Sequence, residues 1–181
     1  MDFSLLDERP AIIAIAGSNG AGKSTFYQSH LADTGLPFIN ADDISACLNI
    51  DAYDAANMAD VIRRSCVANR ESFVFETVFS DPVGAKVQFL KDAVAAGYHV
   101  VVIFIQITNV ETSIQRVSMR VAQGGHDVPD EKLRSRFERT RKNLQIAIEQ
   151  LPKVFVFENT DLSYPYRLVE VWPDGQRVLL R

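Results

Sequence analysis

The chain has 181 residues, of which 47% are hydrophobic and 23% charged, and its formal net charge is −4. At roughly 100–200 residues per domain, this describes one soluble globular domain over residues 1–181, long enough to bury a core. The acidic balance argues against a polyanion partner, so no nucleic-acid binding is expected. The longest apolar runs, Ala11–Ala16 and residues 100–105, fall well short of the ~20 residues that cross a membrane. The N-terminus has no basic segment leading into a long apolar run. A cytoplasmic protein without membrane association is expected. Cys47 and Cys66 lack metal-type or redox-type spacing and read as reduced core thiols.

In chain order, Ala11–Ala16 is a short, bounded apolar run, as a buried parallel strand would be. It leads into Gly17-Ser18-Asn19-Gly20-Ala21-Gly22-Lys23-Ser24, which satisfies G-x-x-x-x-G-K-[ST] in full, and then into a predicted helix over residues 23–32. Glycines let backbone wrap closely around phosphate oxygens, and the following helix N-terminus adds partial positive charge. Residues 17–25, ending in Lys23, Ser24 and Thr25, are therefore the expected nucleotide-binding segment. Lys23 is expected to reach the β- and γ-phosphates, and the Ser24 hydroxyl to ligate Mg²⁺. A plain glycine turn with an exposed lysine would not need four fixed positions at a strand–helix junction.

Residues 37–40 read as a second short strand ending in Asn40-Ala41-Asp42-Asp43. Asp42 or Asp43 is expected to cap the next helix. A carboxylate here can also take the proton from an attacking hydroxyl, and two adjacent acids allow both jobs, with Asp42 the first choice as base. A helix over 54–70 precedes a strand over 72–79. There Glu76 is a lone acid among Phe73, Val74, Phe75, Val78 and Phe79. A carboxylate in such surroundings needs a metal, a donor or a substrate, unless it faces outward. With Thr77 it is a candidate substrate contact.

Pro82 is placed in the first turn of a helix that Gly97 ends. Residues 99–107 form a buried strand, and Asn109 is read only as a cap. Val110, Ile114, Val117 and Val121 make one helical stripe, which Gly124-Gly125 breaks. Leu133, Phe137, Leu144, Ile148 and Leu151 make another. Residues 154–157 are a further strand, and the tail over 166–181, around Pro173-Asp174-Gly175, reads as a β-hairpin. Alternating strands and helices predict an α/β, three-layer P-loop fold with a mainly parallel five-stranded sheet and an added hairpin.

Residues 116–142 carry eight of the 19 basic residues against four acids, a local net charge of +4 that leaves −8 for the rest. Arg116 and Arg120 share a helix face off the apolar stripe. The glycine pair and His126 then separate them from Arg134, Arg136, Arg139 and Arg141. Arginine-bearing helices around a glycine hinge suit a lid that excludes water and brings guanidinium groups to a transferring phosphoryl. Otherwise the arginines line a solvated helix face. Beyond a phosphate-bound Mg²⁺, no metal-ligand cluster is visible.

With these residues in view, the sequence resembles the zeta-toxin family of P-loop kinases, in particular its short single-domain bacterial members, over about residues 11–160. The resemblance rests on Gly17 to Thr25, Asn40-Ala41-Asp42, Glu76-Thr77, and the run from Arg116-Val117 through Gly124-Gly125-His126-Asp127-Val128-Pro129 to Arg134-Ser135-Arg136-Phe137 and Asn143-Leu144. It implies Asp42 as general base, Glu76 as a substrate-contacting acid, Arg120, Arg134 and Arg136 as lid arginines, and Asn159 near the adenine ring. It also implies UDP-N-acetylglucosamine as the type of acceptor, and an antitoxin-like partner.

The expectation is an ATP- and Mg²⁺-dependent kinase that transfers the γ-phosphoryl group to a small-molecule hydroxyl, with Lys23, Asp42 and the three lid arginines catalytic. The alternative is a nucleotide-binding regulatory or toxin–antitoxin module with slow hydrolysis. A polynucleotide-end kinase is disfavoured by the acidic charge.

Overall fold

The structure is a computed structural model that describes residues 9–125 and 127–178. Its organising element is β1 (Ala11–Ala16), every residue of which is buried. Alternate side chains serve two cores. Ile12, Ala14 and Ala16 pack with Phe73, Phe75 and Leu90, while Ile13 and Ile15 pack with Phe26, Leu31 and Val74. Burying one such Ile or Phe contributes roughly 1.5–3 kcal/mol, which is why the run reads as continuous apolar sequence.

β1 pairs in parallel with β3 (Phe73–Thr77) on one side and β4 (His99–Gln106) on the other. β2 (Phe38–Ile39) and β5 (Lys153–Glu158) extend the sheet in parallel, and β6 (Arg167–Pro173) joins β5 antiparallel. The order is β2-β3-β1-β4-β5-β6. The expected five parallel strands are thus present. The tail forms a sixth strand of the same sheet, and among the described residues the return arm of the hairpin is one bridge, Val171 to Val178. Residues 179–181 of the expected hairpin, and His126 of the expected hinge, lie outside the described residues.

The helices are α1 (Lys23–His30), α2 (Ala41–Leu48), α3 (Ala52–Ala68), α4 (Ala85–Ala95), α5 (Val110–Ala122) and α6 (Asp130–Gln150). The cap of α2 differs from expectation. Asn40, in extended backbone, accepts the Asp42 N–H at 2.9 Å through its side chain. An Asn one position ahead does the capping, so the carboxylates of Asp42 and Asp43 are not spent on it. Two strand and helix ends also shift. β3 stops at Thr77, where the Phe79 N–H turns back onto the Thr77 hydroxyl at 3.2 Å. α4 starts at Ala85, where the Asp81 carboxylate accepts the Ala85 and Lys86 N–H groups, so Pro82 lies in the turn before it. Of the two thiols, Cys66 is buried as expected, but Cys47 is exposed because short α2 buries none of its residues. α5 and α6 carry a small core of their own, Val117, Val128 and Leu133.

Parallel pairing puts the ends of β1, β3 and β4 on one edge. Ala16 lies opposite both Thr77 and Phe104, and Ile15 opposite Glu76. The glycine loop after β1 therefore emerges beside the acid on β3, at the edge where open α/β sheets hold ligands.

Candidate active site

The loop from Gly17 to Gly22 is shaped by contacts that permit no side chain at two positions. A Cβ on Gly17 (φ +145°) would lie 2.3 Å from the Ile105 carbonyl oxygen. A Cβ on Gly22 (φ +93°) would lie 2.7 Å from Asn159 Nδ2 and 2.8 Å from Tyr166 Oη. Both backbones also lie in the range that only glycine adopts cheaply.

Successive carbonyls of the loop are each held. Ser18 O accepts Lys23 Nζ at 3.0 Å and the Ala21 N–H at 3.2 Å. Asn19 O accepts the Ser113 hydroxyl at 2.7 Å, and Gly20 O accepts Arg116 Nη1 at 3.3 Å. Ala21 O accepts Asn159 Nδ2 at 2.8 Å, and Gly22 O accepts the Tyr166 hydroxyl and the Phe26 N–H, both at 2.9 Å. Fastening the oxygens to neighbouring elements keeps these carbonyls occupied, and a phosphate chain is met by the N–H side of such a loop. The N-terminus of α1, which has no acid in its first turn, adds its dipole.

Glu76 faces this loop, which removes the outward-facing alternative. Its Oε2 accepts the Ser24 hydroxyl at 2.7 Å and Asn40 Nδ2 at 3.4 Å, and its Oε1 lies 3.6 Å from Lys23 Nζ. These donors make a carboxylate only 12% exposed tolerable beside Phe75. The hydroxyl of Ser24 and the carboxylate of Glu76 are hard oxygen donors of the kind Mg²⁺ takes, next to a ring of amides that suits phosphate.

A cavity of about 320 Å³ opens from the loop and is lined by Lys23, Asp42, Glu76 and Thr77, with Arg120 of α5 and Arg136 of α6. Asp42 stands at the mouth with its side chain 69% exposed, 3.9 Å from Arg120. The neighbouring Asp43 carboxyl is raised above the usual range, first by partial burial, then by Glu76 and Asp42. Of the six arginines expected in this segment, Arg139 donates to Ser80 O at 2.8 Å and Arg141 lies away from this cavity, and the other four divide into three kinds. Arg120 and Arg136 line the cavity. Arg134 instead donates to Glu111 of α5 at 2.9 Å, and this bond, first among its causes, holds the Glu111 carboxyl low. Arg116 clamps the glycine loop and also holds Thr160 O at 3.0 Å.

Asn159 is 2% exposed and holds the loop through Ala21, so its contact is with the loop's backbone. Sequence reasoning did not find Ser113 or Tyr166, whose roles depend on distant backbone, and it named Asn40 without its cap on α2 or its contact with Glu76. It also missed Arg63 and Lys86, which line the cavity from α3 and α4. The signal for Arg63 was present: the buried positions of α3 are Ala55, Ala59, Arg63 and Cys66, a helical stripe with a cation in it. Among the described residues no cluster of three or more His, Cys, Asp or Glu side chains is placed to hold a metal, and no helix is long and apolar enough to cross a membrane.

A mainly parallel sheet with a glycine loop at the first strand–helix junction, and acids after the next strands, defines a P-loop kinase fold. Solved structures agree. The crystal structure of AvrRxo1-ORF1 with ORF2 and ATP matches with a TM-score of 0.74 at 16% identity, over 98% of this chain and 63% of that one. A structure of the PezAT chromosomal toxin–antitoxin system of Streptococcus pneumoniae matches with a TM-score of 0.55 at 15% identity, over 83% of this chain and 69% of that one. An uncharacterized protein of Haemophilus influenzae is 28% identical over 130 residues, 69% of this chain and 91% of its own length. The Zeta toxin family model matches residues 40–168. The chain belongs to the zeta-toxin family. That match begins beyond the glycine loop, so the loop is an independent observation pointing the same way.

Proposed function

We propose that the protein is an ATP-dependent phosphotransferase, a single kinase domain over residues 1–181, that transfers the γ-phosphoryl group to a hydroxyl of a small molecule. The observation that carries this reading is the shared cavity: Lys23 and the glycine loop open into the same space as Asp42, Glu76 and two lid arginines. Donor and acceptor would meet there without crossing the protein.

Bound ATP would supply the phosphoryl group, and Mg²⁺ would offset charge on its oxygens. The backbone of Gly17 to Gly22, with Lys23, Ser24 and Thr25, binds the triphosphate. Asn159 contributes by keeping the Ala21 carbonyl out of the way. Ser24 and Glu76 are the metal-holding pair. Asp42 accepts the proton from the acceptor hydroxyl at a carboxylate oxygen, with Asp43 the reserve, while Glu76 and Thr77 border the acceptor. Arg120 and Arg136 offset charge spreading over the phosphoryl oxygens, and Arg134 joins them if it leaves Glu111.

Family membership supports nucleotide sugars such as UDP-N-acetylglucosamine as first acceptors to try. The partnered neighbours support an antitoxin-like protein that would restrain the enzyme. A second reading, a nucleotide-binding regulatory or toxin–antitoxin module with slow hydrolysis, draws on the Arg120–Asp42 ion pair, which engages the base carboxylate. Incubation with ATP–Mg²⁺ and a panel of nucleotide sugars and hydroxylated metabolites separates the two. A mass gain of one phosphate in an acceptor is expected. Slow hydrolysis with no acceptor gaining mass would favour the second reading.

A further inference from the structure

The cavity has a second cationic wall that neither the glycine loop nor the lid provides. Arg63 reaches it from α3 and Lys86 from α4. The Arg63 side chain is only 5% exposed and its Cζ lies 4.9 Å from the centroid of Phe75, so the guanidinium lies on a ring of β3. Arg63 and Lys86 share one counter-ion, Asp60, which contacts both through Oδ1. The Asp60 side chain is 41% exposed and does not line the cavity. A second acid, Asp81, acts on Lys86 from the cap of α4. Both carboxylates thus stand outside the cavity lining, while both cations are part of it. Alongside them α3 lines the cavity with Ala52, Tyr53, Ala56 and Ala59.

A buried guanidinium and a half-buried ammonium thus face the cavity, with their acids, Asp60 and Asp81, behind them. Burial, then Arg64, pulls Arg63 down to about 10, and burial, then Arg63, pulls Lys86 down to about 8. Drying the cavity side of such a guanidinium and ammonium costs stability unless the ligand brings an anionic group to them. A planar fork beside a point charge is also what an acid group binds well. Asp42 and Glu76 serve the hydroxyl side of the cavity, so the Arg63–Lys86 wall is left for another part of the same ligand.

Resting on the kinase reading above, we propose that the acceptor carries an acid group, a carboxylate or a phosphate, in addition to its hydroxyl, and that Arg63 and Lys86 hold it. A neutral polyol of the same size would cover the cavity face of both cations without offering them an anion, so the pair selects for acids.

The test fills the glycine loop first, with saturating Mg²⁺–AMP-PNP, so that added anions cannot report on it. Inorganic phosphate, acetate and glycerol are then titrated at constant ionic strength, with binding read by heat stabilisation and calorimetry. Phosphate or acetate is expected to bind and glycerol not. The stronger of the two anions tells whether the acid is a phosphate or a carboxylate. Lys86→Gln is expected to weaken anion binding at least tenfold with AMP-PNP affinity retained. Lys91→Gln, which removes an exposed charge paired with Gln150, is expected to leave anion binding unchanged. Arg63→Gln should go further, and Lys86→Gln keeps the test decisive if the Arg63 variant fails to fold. The proposal is overturned if neither anion binds better than glycerol, or if Lys86→Gln binds both as the unaltered protein does. If AMP-PNP itself does not bind, the kinase reading is lost instead. The same titration without nucleotide, with Lys86→Gln beside it, then decides the anion site on its own.

Discussion

The two halves of the cavity are held in different ways. The glycine loop is braced by hydrogen bonds of 2.7–3.3 Å from Lys23, Ser113, Arg116, Asn159 and Tyr166 to its carbonyls. The side of the cavity formed by α5 and α6 is held by ion pairs at partly exposed side chains: Arg120 with Asp42 at 3.9 Å, and Arg134 with Glu111 at 2.9 Å. Such pairs contribute about 0–1 kcal/mol each. A phosphate group competes with them easily, whereas opening the brace leaves buried polar groups unpaired at roughly 1–3 kcal/mol each. This contrast amounts to a division of labour under the proposed function: a preformed seat for the nucleotide, and a segment over α5 and α6 whose arginines rest on local partners that a bound phosphate would outcompete.

The largest break in this contrast comes from removing the chemistry itself. Asp42→Asn is expected to lower single-turnover transfer by roughly 10²–10⁴ while leaving nucleotide affinity nearly unchanged, because it takes away only the proton acceptor. Equal transfer by Asp42→Asn would move the base role to Asp43. Lys23→Ala should abolish turnover too, but with loss of nucleotide affinity, since it removes both a phosphate contact and the bond to Ser18 O.

Next in size are the braces. Asn159→Ala leaves the Ala21 carbonyl without that donor in a buried place, so nucleotide affinity should fall by about 1–3 kcal/mol, measured by calorimetry. Tyr166→Phe removes one of two donors to Gly22 O and should cost about 0.5–1.5 kcal/mol. If both variants bound nucleotide normally, the brace would be ordinary packing and the contrast with the lid would vanish.

These braces also mark how far the sequence could be read. The glycine loop is contiguous, and β1 announces itself because both its faces are buried, so the seat and the parallel sheet were legible. What orients the loop was not, because Ser113, Asn159 and Tyr166 lie 94, 138 and 144 residues from their partners. Nothing local distinguishes Ser113 or Tyr166 from ordinary polar residues, and Asn159 is singled out only by resemblance, for the adenine ring and not for the loop. The cap of α2 was misplaced for the opposite reason: Asn40, Asp42 and Asp43 are all good caps within one turn, and only backbone conformation decides among them. Arg63 was visible as a cation in an apolar stripe, but its destination depends on α3 lying against Phe75.

A smaller effect sharpens the cationic wall. The Lys86 ammonium is pulled down to about 8 from an ordinary value of 10.5. Between those values the unfolded chain binds more protons at this site than the folded one. The stability difference between the unaltered protein and Lys86→Gln should therefore rise from pH 8 towards 10.5 and be flat below pH 8. A rise of order 1–3 kcal/mol in urea titrations is expected. A flat difference across that window would mean that solvent and Asp60 already compensate the ammonium.

The smallest expected effect on stability is the most informative about the lid. Arg134 and Glu111 are both exposed, so Glu111→Gln and Arg134→Ala should each change unfolding free energy by less than about 1 kcal/mol. Their effects on transfer should be opposite in kind. If Arg134 joins the phosphoryl group when the lid closes, Arg134→Ala slows transfer, whereas Glu111→Gln frees the arginine and leaves transfer unchanged or faster. If the pair is a fixed strut between α5 and α6, the two substitutions break the same bond and must slow transfer equally. A double substitution no slower than either single one would then assign Arg134 to the frame of the lid, leaving the phosphoryl group to Arg120 and Arg136.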